Sequence, residues 1–430
     1  MANEIETLYA HFKRSTGIST DTRSIQQGNL FFALKGPNFN ANRLAAQALE
    51  KGASLAVIDD PEFDGEGCFL VADVLTTLQQ LATHHRRQLD IPVIGLTGSN
   101  GKTSTKELIR DVLATQFKVW ATQGNLNNHI GVPLTLLSIT SDIEMAVIEM
   151  GANHVGEIAL LTSIAEPTHG LITNIGKAHL EGFGGIQGVI KGKSEMYDFL
   201  IKTGGVIFVN TRQPILKEIA EKRIESPYYY PQEGDYLHIE LVEDHPVVIY
   251  RNEAGAAVTT QIKGGYNFDN IGTALCIGKY FGIAPEAADK AIAAYVADNN
   301  RSQEIRRNGY SIILDAYNAN PTSMAAALKN LGGIKGTVKT AILGDMFELG
   351  DTAEAEHREI GLLCERLGID HAIFCGELMQ AAAEAMSGSL HFNTRDALAD
   401  YLRSNAIAKG HILIKGSRGM GLEAILELIA

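Results

Sequence analysis

The sequence predicts an α/β protein of three domains: a small N-terminal α/β unit, a central P-loop domain with a mostly parallel sheet, and a C-terminal Rossmann-like, doubly wound domain. Three observations support this prediction. A glycine-rich turn at residues 95–104 separates an apolar run from an amphipathic helical pattern. Long apolar strands follow it in alternation with helices, and a second such series starts near Arg301. The predicted domains are residues 1–90, 91–300 and 301–430.

Composition narrows the class of protein. The chain has 430 residues, 45% of them apolar, which is enough for several cores. A formal net charge of -13 argues against nucleic acid or an anionic membrane surface as the main partner. The four cysteines form no C-x-x-C pair, and no apolar run is long enough to span a bilayer. The acidic N-terminus lacks the apolar segment of a signal peptide, so we expect a cytoplasmic protein, and we expect a monomer.

The first 90 residues have the pattern of a small α/β unit. We expect strands at 30–34, 55–58 and 68–71, and helices at 41–51 and 75–88. A polar segment with Ser19, Thr20 and Arg23 precedes the first of these strands. An ordinary surface turn is the simpler interpretation. The alternative is a ligand edge, where the hydroxyls and Arg23 meet a polar or phosphorylated group.

The glycine-rich turn has the residue types of a phosphate-binding loop. Gly98 and Gly101 let backbone N–H groups approach an anion, and the following helix start adds unpaired donors. Lys102 would then contact β- and γ-phosphate oxygens, and the Thr103 hydroxyl would ligate Mg²⁺. The loop is a variant, because its first glycine comes two positions later than in the usual pattern. The competing interpretation is a capping box that starts at Ser104.

Polar side chains follow the apolar strands of the central domain. Glu149 ends one strand, and His179 lies shortly after another. Ligands bind at the carboxyl ends of strands in parallel sheets, so we expect Thr103, Glu149 and His179 around one crevice. An asparagine-rich loop lies between them in sequence, and caps and turns explain it as well as substrate contact does. It contains Asn125, Asn127 and Asn128.

The second half of the central domain changes pattern. Residues 228–262 alternate apolar and polar side chains and carry a turn signal at 252–255, which predicts antiparallel hairpins appended to the sheet. A helix then opens with Asn267 and Asn270, three residues apart. Their amides can offer donors and acceptors to a base or ribose, and helix capping is the competing explanation.

The third domain repeats the alternation of strands and helices. We expect strands at 311–314, 338–343, 371–374 and 411–414, and helices at 323–331, 357–367, 378–386, 397–404 and 422–429. Polar clusters at 315–321, 344–350 and 415–418 follow three of these strands. By the carboxyl-edge rule these clusters face one cleft.

Together the motifs resemble the ATP-dependent Mur ligase family of peptidoglycan synthesis. The resemblance rests on residues 97–103, on Glu149 and the glycine after Met150, on His179, on the run 193–195, and on 315–324, 343–346 and 415–418, and it spans essentially the whole chain. The Asp-Asn-Pro-Arg signature of the diaminopimelate- or lysine-adding member is absent. The resemblance implies a ligase that adds D-alanyl-D-alanine to UDP-N-acetylmuramoyl-tripeptide through an acyl phosphate. It also implies one domain each for the UDP-sugar, ATP and the incoming amine.

The resemblance implies the cofactors as well. These are ATP, two Mg²⁺ ions and CO₂ held as a carbamate on Lys193. Thr103 and Glu149 would ligate the first ion, and Glu149, His179 and the Lys193 carbamate the second. Carbamylation needs a neutral amine, so a cation-rich surrounding that lowers the lysine pKa would favour it. Without the resemblance, Lys193 would be read as a helix-start lysine paired with Glu195, and His179 as a capping or core histidine.

The remaining roles combine the patterns above with the same resemblance. The catalytic set is Lys102, Glu149, His179 and Lys193. The nucleotide would contact Gly98, Ser99, Asn100, Gly101, Lys102, Thr103, Ser104, Asn267, Asn270, Arg301 and Asp315, although Tyr266 stands where the family commonly has His. The two substrates would contact Ser19, Thr20, Arg23, Asn125, Asn127, Asn128, Tyr317, Asn318, Asn320, Lys415 and Arg418. Because the nucleotide set crosses the second boundary, we expect ATP to pull the third domain inward about a hinge near residues 299–300.

Two alternatives stay open at this point. One is another amide ligase of the same fold, such as a folylpolyglutamate synthase, which differs in its acceptor. The other is a P-loop switch protein that uses nucleotide to change shape. Nucleotide switching alone does not require Glu149, His179 and Lys193 to lie together.

Overall fold

The computed structural model describes residues 2–296 and 303–429 and confirms the α/β class with parallel sheets and three domains. The N-terminal unit has a four-stranded parallel sheet in the order β1-β2-β5-β6 and a small antiparallel hairpin, β3-β4. Its elements are α1 Ala2–Phe12, β1 Ile18–Ser19, β2 Leu30–Phe32, β3 Lys35–Gly36, β4 Phe39–Asn40, a 3₁₀ turn Ala41–Leu44, α2 Ala45–Glu50, β5 Leu55–Ile58, a 3₁₀ turn Pro61–Phe63, β6 Cys68–Leu70 and α3 Val74–Arg86.

The central unit is a six-stranded, all-parallel sheet in the order β12-β11-β10-β7-β9-β8, flanked by a three-stranded antiparallel sheet, β13-β14-β15. Strands β7 and β9 are buried along their whole length, as their continuous apolar runs require. The elements are β7 Val93–Thr97, α4 Lys102–Leu113, β8 Val119–Ala121, α5 Gly131–Leu137, β9 Met145–Glu149, α6 Glu157–Ala165, β10 His169–Ile172, α7 Leu180–Phe183, α8 Ile186–Thr203, β11 Val206–Asn210, α9 Pro214–Arg223, β12 Tyr228–Tyr230, β13 Glu240–Glu243, β14 Ile249–Arg251, β15 Ala257–Thr259, α10 Asn267–Tyr280 and α11 Pro285–Ala294.

The third unit is a six-stranded sheet in the order β16-β17-β21-β18-β19-β20, parallel except for its edge strand β16. Helices cover both faces, as in a doubly wound domain. The elements are β16 Gln303–Arg307, β17 Tyr310–Asp315, α12 Pro321–Gly333, β18 Lys339–Gly344, a 3₁₀ turn Gly350–Thr352, α13 Ala353–Arg366, β19 His371–Cys375, α14 Gln380–Ala385, β20 Leu390–Phe392, α15 Arg395–Ser404, β21 His411–Lys415, and 3₁₀ segments Arg418–Met420 and Leu422–Leu428.

Three local predictions were wrong. Residues 228–230 do not start an antiparallel hairpin, because Tyr228–Tyr230 pairs parallel with β11 and buries Tyr230. The helix after the glycine turn begins at Lys102 with Gly101 as its N-cap, so Ser104 lies inside it and forms no capping box. The final α-helix is a 3₁₀ segment. Its buried residues, Leu422 and Ile425, are three apart, which suits three residues per turn.

Helix α3 joins the N-terminal unit to the central one. It packs against α5 and α6, and its Arg86 side chain donates to the carbonyl oxygens of Ala165 at 3.0 Å and Glu166 at 3.2 Å. The Gln79 amide reaches the His129 carbonyl at 3.0 Å, next to the asparagine-rich loop. Within residues 2–296 and 303–429, no helix combines the length and the apolar character that crossing a membrane would need.

The loop after β18, residues 345–349, is held inside the third unit by a buried histidine. His357 is fully buried, its Nε2 accepts from the Met346 N–H at 3.0 Å, and its Nδ1 donates to the Ala353 carbonyl at 2.7 Å. The Ser417 hydroxyl accepts from the Phe347 N–H at 2.9 Å. Accepting through Nε2 requires the neutral ring, and burial lowers the pKa of His357 in agreement with this.

We predict that His357 makes the fold acid-sensitive. Because the pKa of His357 is lower in the folded chain, its contribution to stability is complete above the unfolded pKa of about 6.5 and is lost as pH falls toward the folded value. Between the folded and the unfolded pKa, each pH unit of acidification lowers the free energy of unfolding by up to about 1.4 kcal/mol. Denaturant midpoints at pH 7.5 and 5.5 should therefore differ less for His357→Gln than for the wild type. The exposed His154→Gln is the matched control, and equal differences in all three proteins would contradict the prediction.

Candidate active site

A cavity of about 720 Å³ lies at the carboxyl edge of the central sheet, where the third unit faces it. The central unit lines it with the glycine turn, the asparagine-rich loop, Glu149, His179 and the start of α10. The third unit lines it with the residues after β17 and with Lys415. The carboxyl-edge rule thus brings together residues more than 300 positions apart in the sequence.

At two positions the backbone of the glycine turn lies very close to side chains of neighbouring segments. Gly98 has φ +145°, and a Cβ there would lie 2.0 Å from the Thr173 hydroxyl oxygen. Gly101 has φ +76°, and a Cβ there would lie 2.8 Å from an oxygen of Asn270. The Lys102 ammonium donates to the Gly98 carbonyl at 2.8 Å, so it curls back over the turn. Both glycines are therefore required by geometry, and the turn has the form of an anion-binding loop.

The segment that follows strand β10 hydrogen-bonds with the glycine turn. The Asn174 side chain accepts from the Asn100 N–H at 3.0 Å and donates to the Asn100 carbonyl at 2.9 Å. The Ser99 hydroxyl exchanges hydrogen bonds with the backbone of Gly176 at 2.9 and 3.1 Å. Asn174 was missed at the sequence level, although it follows an apolar strand and the carboxyl-edge rule applies to it.

Glu149 is a buried carboxylate with defined donors on both oxygens. Its side chain is 1% exposed. Thr103 donates to Oε2 at 3.0 Å, and the Asn127 amide donates to Oε1 at 2.8 Å. The buried Lys106 ammonium is 3.9 Å from Oε2. Hard oxygen donors from Thr103 and Glu149 suit Mg²⁺, which takes few protein ligands and completes its shell with water and phosphate.

Lys193 is buried in α8 without the expected carboxylate. Its ammonium nitrogen donates to the Ala152 carbonyl at 3.0 Å and lies 5.1 Å from the centre of the Phe183 ring. Glu195 instead accepts from the N–H groups of Gly156 and Ala159 at the start of α6, so the paired-lysine interpretation is wrong. Burial, and then the positive charge of Lys102, hold the pKa of Lys193 well below its ordinary value.

His179 faces the third unit. It has a left-handed backbone, φ +53°, at the start of the short helix α7. Its Nδ1 hydrogen-bonds with the carboxylate of Glu348, from the loop after β18. Burial lowers the pKa of His179, while the Glu348 charge acts in the opposite direction. Glu348 was missed at the sequence level, because nothing in the pattern indicates which side chain a loop of another domain will meet.

The third unit contributes a second polar group. The buried Lys415 ammonium bonds to Asp315 at 2.6 Å and to the Asn318 carbonyl at 3.0 Å. The Asn320 amide donates to the Asn100 side chain at 2.7 Å and so joins the third unit to the glycine turn. Tyr317 lines the cavity, and the Arg418 guanidinium lies 5.4 Å from the centre of its ring.

The amides at the start of α10 are already engaged within the protein. Asn267 donates to the Lys263 carbonyl at 2.7 Å, and Asn270 donates to Asn267 at 2.8 Å. Asn270 also accepts from Thr105 of α4 at 3.0 Å. Asp269 and Gln213 line the cavity beside them, and neither was singled out from sequence.

Several predicted residues lie apart from the cavity lining. Ser19 bonds within its own loop, Arg23 pairs with Asp21 at 2.6 Å, and neither these two nor Thr20 lines the cavity. Lys193 is buried and does not line the cavity. Arg301 and the expected hinge at 299–300 lie outside the described residues.

The three side chains of the asparagine-rich loop line the cavity, and two of them also hydrogen-bond within the protein. Asn125, Asn127 and Asn128 all line the cavity. Asn127 also holds Glu149, whereas Asn128 accepts from the N–H groups at the start of α5, so capping explains its side chain. Among the described residues, no three His, Cys, Asp or Glu side chains cluster as a ready-made metal site.

The fold and this site define a P-loop α/β protein whose cavity is completed by a second doubly wound domain. The chain belongs to the Mur ligase family: "Mur ligase middle domain" matches residues 96–278, and "Mur ligase, glutamate ligase domain" matches residues 300–418. It is 37% identical to the UDP-N-acetylmuramoyl-tripeptide–D-alanyl-D-alanine ligase of Bacillus subtilis (strain 168), covering 96% of this chain and 92% of that protein.

Two solved structures of MurF proteins are also similar to this chain. Crystal structure I of MurF from Acinetobacter baumannii is 31% identical with a TM-score of 0.89, covering 98% of this chain and 97% of that one. The MurF ligase of Thermotoga maritima, in complex with ADP, is 25% identical with a TM-score of 0.85, covering 97% of each chain. The expected resemblance to the Mur ligase family is confirmed.

We predict that the buried Lys193 amine lowers stability. Lys193→Met replaces it with an apolar side chain of similar length and should raise the free energy of unfolding at pH 7.5 by about 1 kcal/mol or more in CO₂-free buffer. Because the pKa of Lys193 is lowered on folding, the wild type should gain stability as pH rises toward the unfolded value, and Lys193→Met should gain less.

Denaturant midpoints at pH 7.5 and 9.5 test this prediction. Lys191→Met is the matched control, since Lys191 is exposed and lies two residues away on the same helix. If the two variants share the same midpoints and the same pH dependence, burial of the Lys193 amine is not costly.

Proposed function

We propose that this chain is an ADP-forming, ATP-dependent ligase that joins D-alanyl-D-alanine to UDP-N-acetylmuramoyl-tripeptide in peptidoglycan precursor synthesis. The observation that carries the proposal is the hydrogen bond from Thr103 to Glu149, where Glu149 and Lys102 line a cavity that the third domain completes. The names of the relatives support it: the Bacillus protein is called a ligase for this tripeptide and dipeptide, and the Thermotoga MurF was solved with ADP.

The proposed chemistry is activation of a carboxylate. An amine does not displace the oxygen of a free carboxylate in water, so the peptide acid first attacks the γ-phosphorus of ATP. ADP leaves, and an acyl phosphate forms. The dipeptide nitrogen, as the neutral amine, then attacks the acyl carbon. Inorganic phosphate leaves with the electron pair of the C–O bond, and the nitrogen releases one proton. The first step brings two anions together and the second releases another, so the residues act mainly by positioning and charge neutralisation.

Residues of the glycine turn would bind the phosphates. Backbone N–H groups of residues 98–104 and the Lys102 ammonium would contact phosphate oxygens, which requires Lys102 to exchange the Gly98 carbonyl for the nucleotide. Asn267, Asn270, Arg301 and Asp315 would bind the rest of the nucleotide. Thr103, Glu149, His179 and a carbamate on Lys193 would hold two Mg²⁺ ions, which supply neutralising charge when bound.

The low pKa of Lys193 supports the carbamate. Only the neutral amine adds to CO₂, and burial next to Lys102 favours that form. The product is an anion, which would relieve the mutual repulsion of two neighbouring cations. The amine nitrogen must leave the Ala152 carbonyl to react, so the proposal includes a small movement of its side chain.

We assign the three domains, residues 1–90, 91–300 and 301–430, to the UDP-sugar, to ATP and to the incoming dipeptide. Ser19, Thr20 and Arg23 would contact the UDP-sugar, and the asparagine-rich loop, with Asn125, Asn127 and Asn128, its peptide. Tyr317, Asn318, Asn320, Lys415 and Arg418 would orient the dipeptide, whose carboxylate favours a cation. We propose that the protein works as a monomer in the cytoplasm, where ATP is available.

The two alternatives are less favoured. A folylpolyglutamate synthase would share the fold and the use of ATP, but the relatives described above are named for the tripeptide and D-alanyl-D-alanine. A nucleotide switch would not need Lys193 buried beside Lys102, where its charged form is disfavoured.

Phosphate release with each substrate omitted in turn tests the proposed function. We expect release from ATP only when UDP-muramoyl-tripeptide is present, and sustained release only when D-alanyl-D-alanine is added as well. Glutamate in place of the dipeptide should not sustain it. Release that is independent of both substrates would favour the switch, and release sustained by glutamate would favour the folylpolyglutamate reaction.

Removing Lys193 tests the carbamate. Lys193→Ala should lower kcat by about 10²–10³-fold, the usual loss for an electrostatic group of an active site. A short carboxylate such as acetate should restore part of the rate, because it can occupy the space of the carbamate. Lys191→Ala is the control for the helix. Near-normal turnover of Lys193→Ala without added carboxylate would count against the carbamate.

A further inference from the structure

The contact between His179 and Glu348 joins two unusual backbone positions. His179 has φ +53° and Glu348 has φ +62°, and they are two of the four non-glycine residues with positive φ in the described part of the chain. Such a conformation is unfavourable for an L-residue and persists where surrounding contacts impose it. The Glu181 N–H also donates to the Glu348 carbonyl at 3.1 Å, so main chain and side chain dock together.

The contact fixes which ring nitrogen of His179 can bind a ligand. Nδ1 faces the Glu348 carboxylate, which can only accept, so the neutral ring carries its proton on Nδ1. No described residue hydrogen-bonds Nε2, and His179 lines the cavity. A carboxylate on one nitrogen is the usual partner of a histidine whose other nitrogen binds a metal, because it sets the tautomer and makes the free nitrogen more basic.

We propose that Glu348 is a positioning residue: the third domain supplies the carboxylate that holds His179 as its Nδ1–H tautomer, with Nε2 as the metal ligand. The proposal rests on the proposed function, in which His179 ligates Mg²⁺. It makes the second metal site a property of two docked domains. The central domain alone has the imidazole but lacks the group that orients it.

The loop that presents Glu348 is held within the third domain. The two residues before Glu348, Met346 and Phe347, donate their N–H groups to His357 and Ser417, which belong to that domain. The carboxylate therefore arrives on a supported loop when the domains meet. Neighbouring contacts across the same interface, such as Lys177 with Glu356, do not involve a proposed metal ligand. They provide a matched comparison.

The first measurement is the tautomer of His179 in the full chain, read from ¹⁵N-histidine spectra and assigned with His179→Gln. We expect Nδ1–H in the wild type, a mixture of tautomers in Glu348→Ala, and an intermediate result in Glu348→Gln, whose amide oxygen can still accept. Glu356→Gln removes an ion pair at the same interface and should keep the wild-type tautomer. An unchanged tautomer in Glu348→Ala would overturn the proposal.

The second measurement is Mn²⁺ affinity in the presence of ADP, read by electron paramagnetic resonance. Loss of the partner of a metal-binding histidine typically weakens metal affinity about 10–100-fold, and we expect a loss of this size in Glu348→Ala but not in Glu356→Gln. A changed tautomer with unchanged Mn²⁺ affinity would also overturn the proposal. The tautomer needs no turnover, so a wild type without ligase activity would refute the proposed function and still leave Glu348 judged by its own result.

Discussion

The hydrogen bond between the Thr103 hydroxyl and the Glu149 carboxylate joins the start of a helix to the end of the neighbouring strand. A buried carboxylate is tolerated only when its oxygens are satisfied, and each charged hydrogen bond contributes about 1.5–3 kcal/mol. Asn127 satisfies the other oxygen, so the glycine turn, strand β9 and the asparagine-rich loop must assemble together. The geometry of the site is therefore part of the folding of the central sheet.

The interface between the central and third domains contains several polar contacts. It includes the Asn100–Asn320 and His179–Glu348 contacts and an ion pair between Lys263 and Glu304. Interfaces between domains of one chain resemble transient protein–protein interfaces, which are more polar than obligate ones. Apolar residues join these domains as well, because one hydrophobic cluster contains Leu180 and Phe183 of the central domain together with Met346 and Leu349 of the third.

The sequence was most informative where one physical rule dominates. Continuous apolar strands predict parallel sheets. The carboxyl-edge rule then predicts from sequence that Thr103 and Glu149 lie around one crevice, and in the structure they are hydrogen-bonded. Contacts between distant segments were not predictable in this way. The partner of Lys193 is a carbonyl because α8 packs beside residue 152, and the pairing of Tyr228–Tyr230 depends on the free edge left by β11. Hydrophobic periodicity predicts which face of a helix or strand is buried, but it does not predict which other element packs against that face.

The crowding around Gly98 has a consequence for antibacterial chemistry. Any side chain at this position would collide with Thr173, and the backbone there has a torsion that L-residues rarely adopt. An inhibitor that binds the main chain at Gly98 would therefore contact a position from which side chains are excluded. Escape would have to arise elsewhere, in residues whose replacement the enzyme survives.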